Sequence, residues 1–317
     1  MSRVSEGKTV WITPKNGGKP YRRSIFTFPS KNARKVPNDG RALGFHVAET
    51  PVVIDLPESS AETDAQIGAR IKGRMQVIDL MATSCIEGNT IALIIGGPSG
   101  LGKTFEVRRA VEKKDPGKHN HVFHSGFSSA TGVYKALYAG RNHGQLTIFD
   151  DMDTAFKDQK SINLFKGALD TTAKRSLSWL TETRMETEEG ELVPRTFEFE
   201  GSVIFITNFD LDLAIAQKHP MTEQFNTLIS RSHYINMGVT SKHDYIVRLR
   251  QVVYEEGMLS KRGFNKAAQS EIMNYIEDNQ KTLRELTLRC VIKVSDLYRE
   301  FPNSWRNVAD ITVKKAS

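Results

Sequence analysis

Gly97-Pro98-Ser99-Gly100-Leu101-Gly102-Lys103-Thr104 fits the pattern G-x-x-x-x-G-K-[ST] at every fixed position. Glycines let a backbone curl so that successive N–H groups point inward at phosphate oxygens, where a Cβ would collide. A lysine closing such a loop supplies a point charge to β- and γ-phosphates, and the threonine hydroxyl after it can ligate Mg²⁺. The chemistry implied is the gripping of a nucleoside triphosphate. About forty-five residues further on, Asp150 and Asp151 end a largely apolar run, Leu146-Thr147-Ile148-Phe149. There Asp150 suits Mg²⁺ held through water, and Asp151 suits polarisation of an attacking water. Asn208 ends another apolar run, Gly201 to Thr207, where an amide could hold the γ-phosphate or the lytic water. An asparagine at a strand end is also an ordinary turn former.

These side chains need elements that carry them to a common edge. Ile91 to Ile95 reads as a strand buried on both faces, and Phe105 to Lys114 as a helix with Phe105, Val107, Ala110 and Val111 on its apolar side. Strand, glycine-rich turn and helix set the loop at a helix N-terminus, whose free N–H groups and positive dipole end favour phosphate. Ahead of the strand, Ser59-Ser60-Ala61-Glu62 is a helix start, and Ile67, Ile71, Met75, Ile78 and Met81 recur at helical spacing up to Gly88. His121 to Ser125 reads as a second strand, with His119 and His121 on one face and His124 on the other. No cysteine or carboxylate cluster completes a metal site around them, so they read as ordinary strand histidines. Ser128 to Tyr138 reads as a helix with Val133, Leu137 and Tyr138 inward, and Ser161 to Leu169 as another. Leu177 to Thr181 and Arg195 to Phe199 flank the acidic turn Glu188-Glu189-Gly190-Glu191, which predicts a β-hairpin. Gln224 to Ile229 is a short helix before Arg231, and His233 to Met237 is the last strand. Beyond it Asp244 to Met258, Asn265 to Asp278 and Thr287 to Arg299 are helical. Thr287 is a plausible cap that puts Arg289 in the first turn.

At 317 residues the chain has room for one large or two moderate domains. A composition 39% hydrophobic and 26% charged is that of a soluble globular protein. No run approaches about eighteen consecutive apolar residues and the polar N-terminus has no signal-peptide core. No membrane association and a cytoplasmic location (host cytoplasm if viral) are therefore expected. Cys85 and Cys290 cannot make a disulfide framework and suit a reducing compartment. The net charge of +7 is uneven: Met1 to Gly44 holds ten Lys/Arg against two Asp/Glu, a surplus of eight, leaving about −1 for the rest. That segment interleaves Trp11, Tyr21, Phe26 and Phe28 with Arg22, Arg23, Lys31, Arg34 and Lys35, which suits phosphate contacts and base stacking, though a solvated arm has the same composition. The expected organisation is a basic arm over residues 1–58 holding a strand or two, an α/β nucleotide-binding core over 59–238, a helical lid over 239–305 and a polar tail over 306–317.

Over about residues 60 to 300 these motifs resemble the AAA+ ATPases. GPSGLGKT is similar to Walker A, TIFDD to Walker B, VIFITN with Asn208 to sensor 1, ISRS with Arg231 to the arginine-finger box, and TLR with Arg289 to sensor 2. The resemblance implies a five-stranded parallel sheet flanked by helices and followed by a small all-α lid, with ATP and Mg²⁺ as cofactors. Gly97, Pro98, Ser99, Gly100, Leu101, Gly102, Lys103, Thr104 and Arg289 would bind nucleotide, and Thr104 and Asp150 the metal. Lys103, Asp151, Asn208 and Arg231 would carry hydrolysis, Arg231 reaching a neighbour's nucleotide in a homo-oligomeric ring, usually a hexamer. Most members carry Glu where Asp151 stands, one methylene longer, so water must sit closer here or turnover be slow. An Asp-Asp pair also occurs in superfamily 3 viral helicases, which resemble the chain in its Walker segment. The run Tyr134 to Gly140 before TIFDDMD and the hairpin are similar to ATPases encoded by bacteriophages.

Three kinds of substrate follow from this reading. A DNA motor or loader for replication, recombination or packaging would use the basic arm and pore elements such as the hairpin. A protein remodeller would thread polypeptide past Gly126-Phe127-Ser128-Ser129, with Tyr134 nearby. A filament or scaffold would use ATP for assembly with slow turnover.

Overall fold

The computed structural model describes residues 8–12, 21–26 and 36–38, and residues 62–316 apart from 173, 182–183 and 188–189. It divides into two compact units, Met1–Asp55 and Leu56–Ser317. In the first, β1 (Lys8–Ile12), β2 (Tyr21–Phe26) and β3 (Val36–Asn38) form an antiparallel sheet in that order, with Trp11 opposite Arg22. Phe28, Lys31, Arg34 and Lys35 of the basic segment lie outside the described residues.

The second unit opens with α1 (Asp64–Ile86), which starts at a reciprocal cap: Gln66 N donates to Thr63 Oγ1 at 3.3 Å, and Thr63 N to Gln66 Oε1 at 2.9 Å. This cap satisfies two orphan donors at once, which is why the helix begins there rather than at the earlier serine signal. Ser59 and Ser60 lie outside the described residues. The chain then alternates β4 (Ala92–Gly96), α2 (Lys103–Lys114), β5 (His121–Ser125), α3 (Ala130–Ala139) and β6 (Leu146–Asp150). Two helices follow, α4 (Asp153–Lys157) and α5 (Gln159–Ala168). The expected hairpin is present in two stretches: β7 (Ser176–Ser178) pairs with β10 (Thr196–Glu198), and β8 (Met185–Glu186) with β9 (Leu192–Val193). It leads into β11 (Ser202–Ile206), α6 (Leu211–Ala216), α7 (Thr222–Ile229) and β12 (His233–Asn236).

The five long strands form one parallel sheet in the order β12-β4-β11-β6-β5. Their side chains divide by alternation. Leu93, Ile95, Leu146, Ile148, Ile204 and Ile206 pack with α1 and α2, whereas Ala92, Ile94, Phe149, Val203 and Phe205 pack with α3, α5 and α7. Both faces are covered, as near-continuous apolar strands require. Phe165 of α5 meets Phe149 tilted and Phe205 edge-on, with centroids 5.4 and 4.7 Å apart, which fixes α5 to the central strands. Because every strand is parallel, β4, β6 and β11 deliver their C-terminal ends to the same edge, where ligands of such sheets bind.

The remaining chain folds as helices: α8 (Lys242–Arg250), continued by a π turn over Gln251–Glu255, then α9 (Met258–Lys261), α10 (Lys266–Asp278), α11 (Leu288–Glu300) and α12 (Trp305–Thr312). They share a core of their own containing Leu249, Val253, Ile272, Ile276, Val291 and Val294. The expected polar tail over 306–317 is corrected by α12. Trp305, Ala309 and Val313 are buried in that core, and Lys314 forms a β-bridge with Leu283. The apolar residues stand at four-residue spacing in a short polar stretch, a pattern easily read as a tail.

Candidate functional site

The phosphate loop leaves β4 and enters α2 with Gly97, Gly100 and Gly102 all at positive φ, +123°, +77° and +96°. A side chain at Gly100 would place Cβ 2.4 Å from the Thr287 Cβ, so the glycine there serves both the turn and the approach of α11. Lys103 is 5% exposed, and its Nζ donates to the carbonyls of Gly97 at 2.5 Å and Pro98 at 2.9 Å and to Asn208 Oδ1 at 3.3 Å. Burial pushes the ammonium down to about 8, with Asp151, Asp153 and Asp150 pulling the other way and Arg289 adding to the depression. An ammonium resting on carbonyls inside its own glycine loop is one that a phosphate anion would draw to itself.

Thr104 Oγ1 donates to Asp150 Oδ1 at 2.9 Å, joining the loop to the end of β6 across the intervening β11. Burial raises the Asp150 carboxyl above the usual carboxylate range, and Asp151 beside it adds to the rise, while the Thr104 hydrogen bond opposes it. A hydroxyl and a buried carboxylate so placed fit a hard, hydrated dication, whose charge would relieve that burial. Asp151 is exposed and sits at φ +53°, an unusual backbone for a residue bearing a Cβ. Its N–H donates to Ile206 O at 3.0 Å, and its Oδ1 accepts from Asn208 Nδ2 at 2.7 Å. This turn aims the carboxylate at the end of the neighbouring strand, the sort of local strain that gathers at functional sites. One residue earlier, Thr207 Oγ1 donates to Asp153 Oδ1 at 2.6 Å, a second tie between the same strand ends that no motif signalled.

The helices roof this edge. Thr287 caps α11 by accepting from Cys290 N at 3.3 Å, as expected, and Leu288 N donates to Gly100 O at 3.0 Å. The resulting cleft, about 470 Å³, is lined by the polar Lys103, Thr104, Asp151, Asn208 and Arg289 and by the apolar Phe105, Val252, Met258, Leu288 and Ile292. Polar groups suited to phosphate and an apolar pocket suited to a base thus share one space. Phe105 corrects an expectation. The helical pattern puts it on the apolar side of α2, yet it is 62% exposed and lines the cleft.

Other expected residues lie elsewhere. Arg231 is half-buried, is not among the cleft-lining residues, and donates from Nη1 to Lys166 O at 2.6 Å. Tyr134 corrects the pore reading: it is fully buried and donates to Pro194 O at 3.0 Å, bracing the hairpin, while Phe127 is 82% exposed. His121 is buried with Nδ1 2.7 Å from Asp115 Oδ2, and His124 stacks on Phe149. Arg248 and Glu256 also line the cleft, and no pattern in the sequence marks them.

No protein-family model matches the chain. The uncharacterized 36.7 kDa protein encoded in the nrdC-mobD intergenic region of Enterobacteria phage T4 is 30% identical to it over 274 residues, 86% of this chain and 83% of that protein. NtrX from Brucella abortus in complex with ATP is similar at 14% identity and TM-score 0.41, covering 82% of this chain and 54% of that one. AMPPCP-bound DnaA from Aquifex aeolicus is similar at 12% identity and TM-score 0.41, covering 77% and 67%. RuvB from Thermotoga maritima is similar at 12% identity and TM-score 0.41, covering 78% and 69%. The chain spans about half the length of NtrX.

Proposed function

We propose that the chain, which belongs to one family with the 36.7 kDa protein of phage T4, is an AAA+ ATPase that binds and hydrolyses ATP as a ring-forming motor or loader acting on DNA. The observation that carries the ATPase reading is the convergence of Lys103, Thr104 and the Asp151–Asn208 pair in one cleft that Arg289 also lines, with Asp150 held to it by the Thr104 hydroxyl. Loop amides and Lys103 would hold the β- and γ-phosphates, and Asp151 with Asn208 would orient the attacking water. Thr104 and Asp150 would hold Mg²⁺, which supplies charge to the phosphate oxygens. Arg231, which is not among the residues lining its own cleft, would serve a neighbour's nucleotide in the ring.

The DNA reading is supported by the surplus of eight positive charges over Met1 to Gly44, interleaved with aromatics. The exposed Phe127 after β5 favours a second reading, the threading of polypeptide. One assay separates them: ATP turnover with single-stranded DNA, duplex DNA or an unfolded protein, across salt concentrations. The expected result is stimulation by DNA, with binding that weakens steeply as salt rises and is lost on removal of residues 1–44. Stimulation by unfolded protein alone would overturn the DNA reading, and no turnover under any condition would overturn the ATPase reading.

A further inference from the structure

Arg248 stands on α8 with its side chain 3% exposed, and it lines the cleft. It spans from the helical part to the phosphate loop: Nε donates to Leu101 O at 3.3 Å and Nη1 to Glu256 Oε1 at 2.6 Å. A Cβ built on Gly102 would stand 3.7 Å from Arg248 Nη2. The far end of the guanidinium therefore lies beside the backbone that opens α2, where N–H groups are free to meet phosphate. Glu106, on the first turn of α2, is a second carboxylate close enough to act on this arginine, and it forms an ion pair with Arg109 at 2.5 Å.

A guanidinium held this deep has lost its hydration, and one partly exposed carboxylate with one carbonyl compensates it incompletely. Its planar fork matches phosphate oxygens better than a lone carboxylate oxygen does. Glu256 follows the π turn after α8, its N–H donating to Gln251 O at 2.9 Å, so it marks where α8 hands over to the rest of the helices. Resting on the nucleotide reading above, we propose that Arg248 is a phosphate-binding residue of this site, exchanged between Glu256 in the empty cleft and the nucleotide in the filled one. The exchange loosens α8 from the turn at Glu256 when phosphate arrives, and so ties occupancy of the loop to the position of the helices.

The test is nucleotide binding to the full-length protein by titration with fluorescent ATP, ADP and AMP analogues, for wild type, Arg248→Gln, Glu256→Gln and the double variant. A hydrogen-bonded contact to a charged group predicts that Arg248→Gln weakens ATP and ADP by about 10- to 100-fold and AMP by much less. Glu256→Gln should tighten ATP several-fold, and that gain should vanish in the Arg248→Gln background. Equal weakening of AMP and ATP by Arg248→Gln, or a Glu256→Gln gain of the same size with and without Arg248, would overturn the proposal. Should Arg248→Gln fail to fold, Glu256→Gln decides alone: unchanged or weaker ATP binding overturns the exchange. Wild type that binds no ATP, or binds it equally with Lys103→Ala, would instead overturn the reading of the site on which this proposal rests.

Discussion

Lys103 is the residue whose environment most directly becomes a measurement. Its burial lowers the ammonium from 10.5 to about 8, so over that window the unfolded chain binds more protons than the folded one. Stability of the unliganded protein should therefore rise with pH across the window, because the charged form that burial disfavours is being removed. A triphosphate reverses the balance, since it stabilises the ammonium. Nucleotide binding should take up a proton above pH of about 8, and affinity should fall toward about tenfold per pH unit beyond it. Calorimetry in two buffers of different ionisation enthalpy reads the proton directly. An affinity flat from neutrality to well above that pH would mean that Lys103 keeps its proton in the empty loop. Asp151 is distinguished instead by a left-handed backbone and a hydrogen bond from Asn208, which together direct a short carboxylate at the strand end.

At the scale of elements, the phosphate loop depends on α11 as much as on α2. Gly100 accepts from Leu288 N and has room for no Cβ beneath Thr287. Gly100→Ala should destabilise the fold by about 2–4 kcal/mol, from left-handed strain and overpacking together. It should also push the helical roof off the loop. Limited proteolysis in the turn after α8 would report the opening, and unchanged cleavage with a lowered melting temperature would assign the whole effect to backbone strain. The elements were largely legible in the sequence, for a physical reason. Doubly buried strands such as Ala92–Gly96 are continuous apolar runs, and caps such as Thr287 carry their own side-chain signal. What was not legible is what depends on three-dimensional convergence. Arg248 meets the loop from 147 positions away, Phe105 turns from the core into the cleft, and α12 hides its apolar stripe in a short polar stretch. His121 of β5 and the tyrosines of α3 are conspicuous residue types, yet packing takes them inside, His121 against Asp115 and Tyr134 against the hairpin.

At the scale of the whole molecule, the question is whether one copy suffices. Within the chain, Arg231 Nη1 is engaged by the Lys166 carbonyl, and the residue is not among those that line the cleft. If it completes a neighbour's site, Arg231→Ala should lower turnover by about a thousandfold or more while leaving ATP binding to the dilute protomer within about threefold. Loss of its hydrogen bond should cost about 1 kcal/mol of stability, small enough that melting curves separate folding from chemistry. The decisive arrangement is a mixture. Lys103→Ala protomers keep the arginine but lose the phosphate loop, and Arg231→Ala protomers keep the loop but lose the arginine. Where an Arg231→Ala site faces a Lys103→Ala neighbour, an intact loop meets an intact guanidinium, so mixing two inactive proteins should restore part of the turnover. Restoration should rise and fall with the mixing ratio and vanish on dilution below assembly. Two variants that stay inactive at every ratio, in particles that demonstrably co-assemble, would mean that Arg231 acts only within its own chain.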